Sequence, residues 1–264
     1  MSALRLTPIF FGSRWVRMVE RNLLVYKHGW LVLFSGFFEP LFYLLGIGFG
    51  LGQLVGSVPG PDGNPVPYAV FIAPALLAAS SMNGAITEST FNFFFKLNYD
   101  KTFASILTTP MSPADISIGE LAWALMRGGL YVLGFLVVIT LLGLVRSPLV
   151  ILTIPGALLI GFAFASVGMA ATSFMRTWQD FDLIQLVVLP MFLFSGTFFP
   201  IDRYPEALRL VIQLTPLYRG VDLLRSLSLG VIGPSILIDV VYLSLMGFAG
   251  LAVVSRRLDK LLLR

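Results

Sequence analysis

A charge at membrane depth costs about 2.5–3.5 kcal/mol or more, so ionisable side chains inside apolar sequence mark the first places to look for chemistry. Three stand in this chain: Glu39, nine residues after Trp30; Glu88, seven before Phe95; and Arg127, eight after Gly119. If the flanking runs are helices rising 1.5 Å per residue, each charge lies on the order of 10–14 Å in from the same side of the membrane. Two roles fit such a set. It lines a polar route for a solute, or it locks helices together as a charge pair; both predict that acid and base meet.

Other chemistries lack their residues. The sequence has no Cys and a single His, His28, which precedes the first long apolar run. Thiolate catalysis, Cys- or His-cluster metal sites and an intramembrane Ser–His protease are thereby excluded. There is no G-x-x-x-x-G-K-[ST], so the chain cannot cradle nucleotide phosphates in the P-loop manner. The glycine run Gly46, Gly48, Gly50, Gly52 is spaced by two. It forms two overlapping G-x-x-x-G pairs, and helix packing is expected of both.

Two connecting segments carry more pattern than a loop needs. In Lys96–Glu120, helical spacing over Tyr99–Leu107 gathers Phe103, Ile106 and Leu107 on one side. Asp100, Lys101 and Thr102 are polar members of the same stretch, and Thr109 leads into Pro110 and Pro113, which end it. A short helix tethered between two spans is either a docking element for a partner or an interfacial loop. In Pro200–Gly230, Pro205 suits a first helical turn, Leu208, Val211 and Ile212 recur at helical spacing, and Thr215-Pro216 stops that helix. A second stretch (Leu217, Val221, Leu224) follows, with Arg219 and Arg225 on it. The segment reads as a helical hairpin dipped into the bilayer from the outer side, which protein must cover.

The elements that position these residues are membrane spans. Of the 264 residues, 57% are hydrophobic and only 12% charged, against about 25% in a typical soluble domain. Six stretches approach the roughly 20 apolar residues a span needs: Trp30–Leu54, Tyr68–Phe95, Gly119–Val145, Leu149–Phe174, Phe181–Phe199 and Val231–Val254. An all-α membrane protein follows, with a cytoplasmic N-terminal segment (1–29), a transmembrane domain (30–254) and a basic tail (255–264). The charge balance of +4 reads as membrane-flanking cations rather than a nucleic-acid footprint. Arg5, Arg14, Arg17, Arg21, Lys27, Lys96, Lys101, Arg176, Arg256, Arg257, Lys260 and Arg264 fall on one side, and Arg146, Arg203, Arg209, Arg219 and Arg225 on the other. The richer side is cytoplasmic, so both termini are inside. Residues 8–27 form an amphipathic pattern, Trp15, Val16, Val19, Leu23 and Tyr26 opposite Arg14, Arg17 and Arg21, as expected of an interfacial helix. No cleavable signal peptide is expected, and no internal repeat of the secondary-carrier kind is visible.

Three blocks together carry a resemblance: EPLFYLLGIGFGLG (Glu39–Gly52), YDKTFASILTTPMSPADI (Tyr99–Ile116) and FSGTFFPIDRYPEAL…TPLYRGVDLLRSL (Phe194–Leu227). In that order they resemble the ABC-2-type permeases, the membrane subunits of type-2 ATP-binding-cassette (ABC) exporters, over almost the whole chain. Within that family the nodulation-factor and daunorubicin export permeases look nearest. The resemblance implies six spans, an N-terminal interfacial helix and a re-entrant outer hairpin between spans five and six. It implies a second copy or a related permease, and a separate ABC ATPase that binds ATP and Mg while this chain binds no cofactor. It makes Tyr99–Pro110 the coupling helix seated in that ATPase and Met175–Asp182 a smaller contact. The implied cargo is amphipathic: a lipid-linked or lipo-oligosaccharide, or a hydrophobic drug. A lone six-span channel or secondary carrier is the alternative; a membrane enzyme is weakened by the missing catalytic groups.

Overall fold

The structure, a computed structural model, describes residues 14–26 and 38–262. The expected start of the interfacial helix (8–13), Lys27 and His28, the beginning of the first expected span (30–37), and Arg5 and Arg264 lie outside the described residues. The chain is almost wholly helical: α1 Val16–Tyr26, α2 Phe38–Val55, α3 Tyr68–Asn98, α4 Thr102–Ile106, α5 Pro113–Leu141, α6 Pro148–Thr172, α7 Phe181–Phe194, α8 Glu206–Leu214, α9 Pro216–Leu229 and α10 Pro234–Leu262. Between α2 and α3 a small antiparallel ribbon pairs Ser57–Pro59 with Pro65–Pro67.

Among the described residues, five helices are long and apolar enough to cross a membrane: α2, α3, α5, α6 and α10. Their burial differs sharply. The most apolar stretch of α3 is 83% buried, that of α10 only 22% and that of α2 17%. So α3 is the central post with α6, 56% buried, beside it, and α2, α5 and α10 leave most of their apolar stretch unburied. Leu54, Leu141, Leu245 and Phe248 are all well exposed. Water would not tolerate such a surface, whereas lipid does, and in lipid the helix also satisfies every backbone polar group internally.

Because lipid supplies no hydrophobic drive between helices, small residues set the close contacts. The tightest pairing is α6 with α10. At Gly250 a Cβ would come within 2.7 Å of the backbone of Ser166 and Val167, so only glycine fits. Gly119 of α5 does the same for α1, its Cα facing the Met18 side chain. Of the two glycine pairs expected to pack on α2, one meets a neighbouring helix of this chain. Gly48 and Gly52 face Ile72 and Tyr68 of α3, whereas a Cβ built on Gly46 or Gly50 meets nothing outside α2 within 4 Å among the described residues. Pairs offset by two residues project to opposite sides of a helix, so one neighbour can meet only one of them.

Several ends differ from the hydropathy reading. The α5 helix begins at Pro113 instead of Gly119, because Ser112 and Asp115 form a reciprocal capping box with proline in the first turn. The α10 helix runs on to Leu262, carrying Arg256, Arg257 and Lys260 on its last turns. The α7 helix stops at Phe194, where Ser195 ends it and Gly196 turns left-handed (φ 72°). Its 14 residues span about 21 Å, short of a 30 Å hydrocarbon layer. The irregular chain after it is satisfied by protein groups: Ser195 and Thr197 share a hydrogen bond of 2.7 Å, and the Phe198 carbonyl accepts from the Tyr68 hydroxyl at 3.2 Å.

Candidate functional site

Glu88 opens a one-turn π-helical stretch, Glu88–Asn92, that interrupts α3. On α5, Trp123, Arg127 and Tyr131 recur every four residues and so share one face. That face meets the π-turn. Arg127 Nη1 lies 2.6 Å from Glu88 Oε2, Trp123 Nε1 donates to Glu88 Oε1 at 3.0 Å, and Asn92 Nδ2 donates to Oε2 at 2.7 Å. Arg127 Nε donates to the Tyr131 hydroxyl at 2.8 Å, and its guanidinium lies 5.4 Å from the Tyr26 ring centre. The carboxylate is therefore buried with three donors around it, and the pair ties α3, α5 and α1 together. A buried pair so furnished is costly to break from one side.

Glu39 does not join the pair. Its Oε1 accepts from Asn83 Nδ2 at 3.3 Å and is otherwise exposed. It does face the same space: a cavity of about 150 Å³ is bordered by Glu39, Ser80, Asn83, Thr87, Arg127 and Tyr131. The predicted trio thus resolves into a cross-link, Glu88–Arg127, and a third charge across a small polar cavity from it.

A second buried ion pair was missed. Lys96 Nζ lies 2.6 Å from Glu120 Oε2, Asn22 Nδ2 donates to Glu120 Oε1 at 3.3 Å, and Lys96 also donates to Asn22 Oδ1 at 3.4 Å. Sequence reading treated Lys96 and Glu120 as loop charges. The available signal was position: Glu120, Trp123 and Arg127 fall at i, i+3 and i+7, one polar stripe along α5. The expected lipid face of α1 is also altered. Met18 and Asn22 turn into the protein against α5, while Leu23, Leu24 and Val25 are the exposed apolar residues.

The short α4 helix follows Lys101, a non-glycine residue in the left-handed region (φ 49°). Its expected apolar side points into this chain. Phe103 is fully buried, its ring 5.1 Å from that of Phe93, and Ile106 and Leu107 are half-buried behind it. Tyr99, Asp100, Lys101, Ala104, Ser105, Thr108 and Thr109 remain exposed, with Thr102 intermediate. The outward surface is therefore small and polar. The neighbouring turn between α6 and α7 is held by Asp180, whose carboxylate accepts from the backbone N–H of Arg176 at 2.8 Å and of Thr177 at 3.1 Å. Those bonds, Arg176 first, hold its pKa below the usual carboxylate range.

At the opposite end, Pro200 precedes a short turn, Pro205 caps α8, and Pro216 starts α9. Leu217, Val221 and Leu224 are buried against the bundle, whereas Leu210, Val211 and Leu214 of α8 are exposed. Arg219 Nη1 reaches Asp239 Oδ1 of α10 at 3.4 Å. Arg225 lies inside, its Nε donating to the Phe71 carbonyl at 3.2 Å and Nη2 to the Gly196 carbonyl at 2.8 Å, with the guanidinium 3.7 Å from the Phe71 ring centre.

Comparison with known proteins adds to this geometry. A family model described as "ABC-2 type transporter" matches residues 14–229. The chain is similar to Nodulation protein J of Rhizobium leguminosarum bv. viciae, 34% identical over 221 residues and 83% of each chain. It is similar to Nodulation protein J of Rhizobium meliloti (strain 1021), 34% identical over 83% of this chain and 82% of the relative. With that of Neorhizobium galegae it shares 30% identity over 93% of this chain and 94% of the relative.

Proposed function

Because this chain belongs to the ABC-2 type transporter family and is a multi-pass membrane permease, we propose that it is the transmembrane subunit of an ABC exporter driven by a separate ATPase. The observation that carries this reading is α4. It is a short helix that follows α3 directly, locked to it through Phe103 on Phe93, with a polar face turned outward. A push on that face is passed to α3, the central post, and from there through Glu88–Arg127 to α5. This is the linkage a coupling helix needs.

In this reading the basic side of the chain is cytoplasmic and carries both termini, in a prokaryotic plasma membrane. The α7 helix, with the irregular 195–199 segment, is the sixth span, and α8–α9 is the re-entrant outer hairpin. Residues 1–29 lie at the interface, 30–254 form the transmembrane domain and 255–264 the tail. Two permeases, identical or related, come together. ATP and Mg sit in the ATPase subunits; their closure moves α4 and the turn at Arg176–Asp182, and the spans shift between inward- and outward-open states because ATP binds the two states unequally. An amphipathic cargo suits an aromatic, sparsely charged route.

The docking surface is read as Tyr99, Asp100, Lys101, Thr102, Ser105 and Thr109, with Phe103, Ile106 and Leu107 seating the helix from behind. The test is coexpression with a neighbouring ATPase gene and detergent pull-down. Lys101→Glu combined with Ser105→Arg should abolish ATPase recovery while leaving the permease folded, since both side chains are exposed. Unchanged recovery would refute the docking assignment. Full transport without any ATPase would favour a lone channel or carrier.

A further inference from the structure

A cavity of about 360 Å³ opens at the end of the molecule opposite α4, bounded by Pro59–Pro61 of the ribbon, Gly196, Asp202, Asp222, Arg225 and Ser235. Its size is that of a small-molecule site. Arg225 is only 6% exposed and forms part of the wall. Its Nε and Nη2 are taken by main-chain carbonyls, which are neutral; Nη1 makes no hydrogen bond, and no carboxylate forms an ion pair with Arg225, among the described residues. Burying a cation without an anion is expensive, and carbonyls with an aromatic face offset only part of that cost.

The nearest acid on the same helix face is Asp222, three residues earlier, its Cβ about 5–6 Å away by helical geometry. Arg225 donates its hydrogen bonds to the Phe71 and Gly196 carbonyls and forms no ion pair with Asp222, whose charge it feels only at a distance. The Asp222 carboxyl shares a hydrogen bond with Asp239, the partner of Arg219; Asp222 and Arg225 still border the cavity without direct contact between them. Asp202 adds a second carboxylate at the rim, loosely paired with Arg209 at 3.8 Å. A simple anion entering here would satisfy Arg225 but face two carboxylates. A simple cation would face Arg225. A ligand carrying both charges a few ångströms apart satisfies the whole wall.

The surroundings say where such a ligand comes from. Leu210, Val211 and Leu214 on one side and Ile232, Leu237 and Ile238 on the other are strongly exposed apolar residues flanking the segments that form the cavity. Acyl chains run naturally down such surfaces, with the headgroup at the cavity mouth. We propose that this cavity holds the zwitterionic headgroup of a phospholipid with a free ammonium, its phosphate on Arg225 and its ammonium on Asp222. The proposal rests on the chain spanning a membrane and stands whether or not the chain exports anything. It also gives the α8–α9 hairpin a lipid-dependent anchor, since Arg225 joins α9 to α3 and to the chain after α7.

The test uses the full-length protein in detergent with native mass spectrometry and added phosphatidylethanolamine, phosphatidylglycerol or phosphatidylcholine. Phosphatidylethanolamine should be retained roughly tenfold or more over both others, the factor expected for one charge-assisted hydrogen bond. Choline keeps the charge but has no N–H to donate, and glycerol has no cation. Arg225→Gln should lose retention, and because that variant risks misfolding, Asp222→Asn provides the second arm: the wild-type melting profile kept, the ethanolamine preference gone. Soluble phosphoethanolamine at equal concentration should not displace the lipid. Equal retention of all three lipids by the wild type, an undiminished preference in folded Asp222→Asn, or displacement by phosphoethanolamine would each overturn the assignment.

Discussion

Replacing Arg127 by Met would keep the volume and remove the charge that Glu88 faces. Glu88 is 2% exposed, so its carboxylate would be left at depth with Trp123 Nε1 and Asn92 Nδ2 as its remaining donors. Breaking a buried pair from one side costs about 3–5 kcal/mol. For a chain of this size that corresponds to a melting shift on the order of 6–20 °C, taking about 2–4 °C per kcal/mol. Glu88→Gln strands Arg127 less severely, because Tyr131 and the Tyr26 ring still face it. The double variant carries no orphaned charge, so it should be more stable than the sum of the singles by at least about 1 kcal/mol, the coupling expected of residues in direct contact. The assay is thermal unfolding of purified protein in nanodiscs, run as a double-mutant cycle. Strictly additive shifts, or singles with wild-type melting, would refute the cross-link and leave the pair a lining of the transport route.

Phe103→Ala should cost about 3–5 kcal/mol and loosen α4 from α3, read as faster proteolysis at Lys101, because the ring is fully buried on Phe93. Gly250→Ala should lower the folded yield, since the new methyl meets the backbone of α6 at 2.7 Å, an overpacking cost of about 1–3 kcal/mol or more. Gly46→Ala, in open space, should be neutral or stabilising by up to about 1 kcal/mol in the same measurement; destabilisation there would place a second chain against α2. Ser112→Ala removes the cap that accepts from the Asp115 N–H at 3.2 Å and should cost about 0.5–2 kcal/mol, seen as faster hydrogen exchange over the first turn of α5.

What the sequence discloses here is what depends on local pattern and on the price of charge in lipid. Long apolar runs announce α3, α5, α6 and α10, and the rarity of charge within them singles out Glu88 and Arg127, which do meet. The Ser112–Asp115 capping box was equally legible but was overshadowed by the neighbouring prolines, read as stops when Pro113 is in fact a start. Phe103 shows the harder case: spacing reveals an apolar side on a short helix but not whether this chain or another covers it. Arg225 is harder still, because its partners are carbonyls at Phe71 and Gly196, far away in sequence and invisible to any pattern of side chains. The Lys96–Glu120 pair joins α3 to α5, and the Asn22 that bonds both partners comes from α1, docked where Gly119 admits Met18, a packing contact that no side-chain pattern discloses.

The most direct measurement reconstitutes the chain in proteoliposomes with and without its ATPase and follows ATP-dependent movement of a fluorescent amphipathic probe across the bilayer. The account predicts movement only when ATPase and ATP are both present, and its loss in Lys101→Glu/Ser105→Arg although ATPase and permease are each intact. Movement at the same rate without the ATPase, or undiminished by that variant, would contradict it.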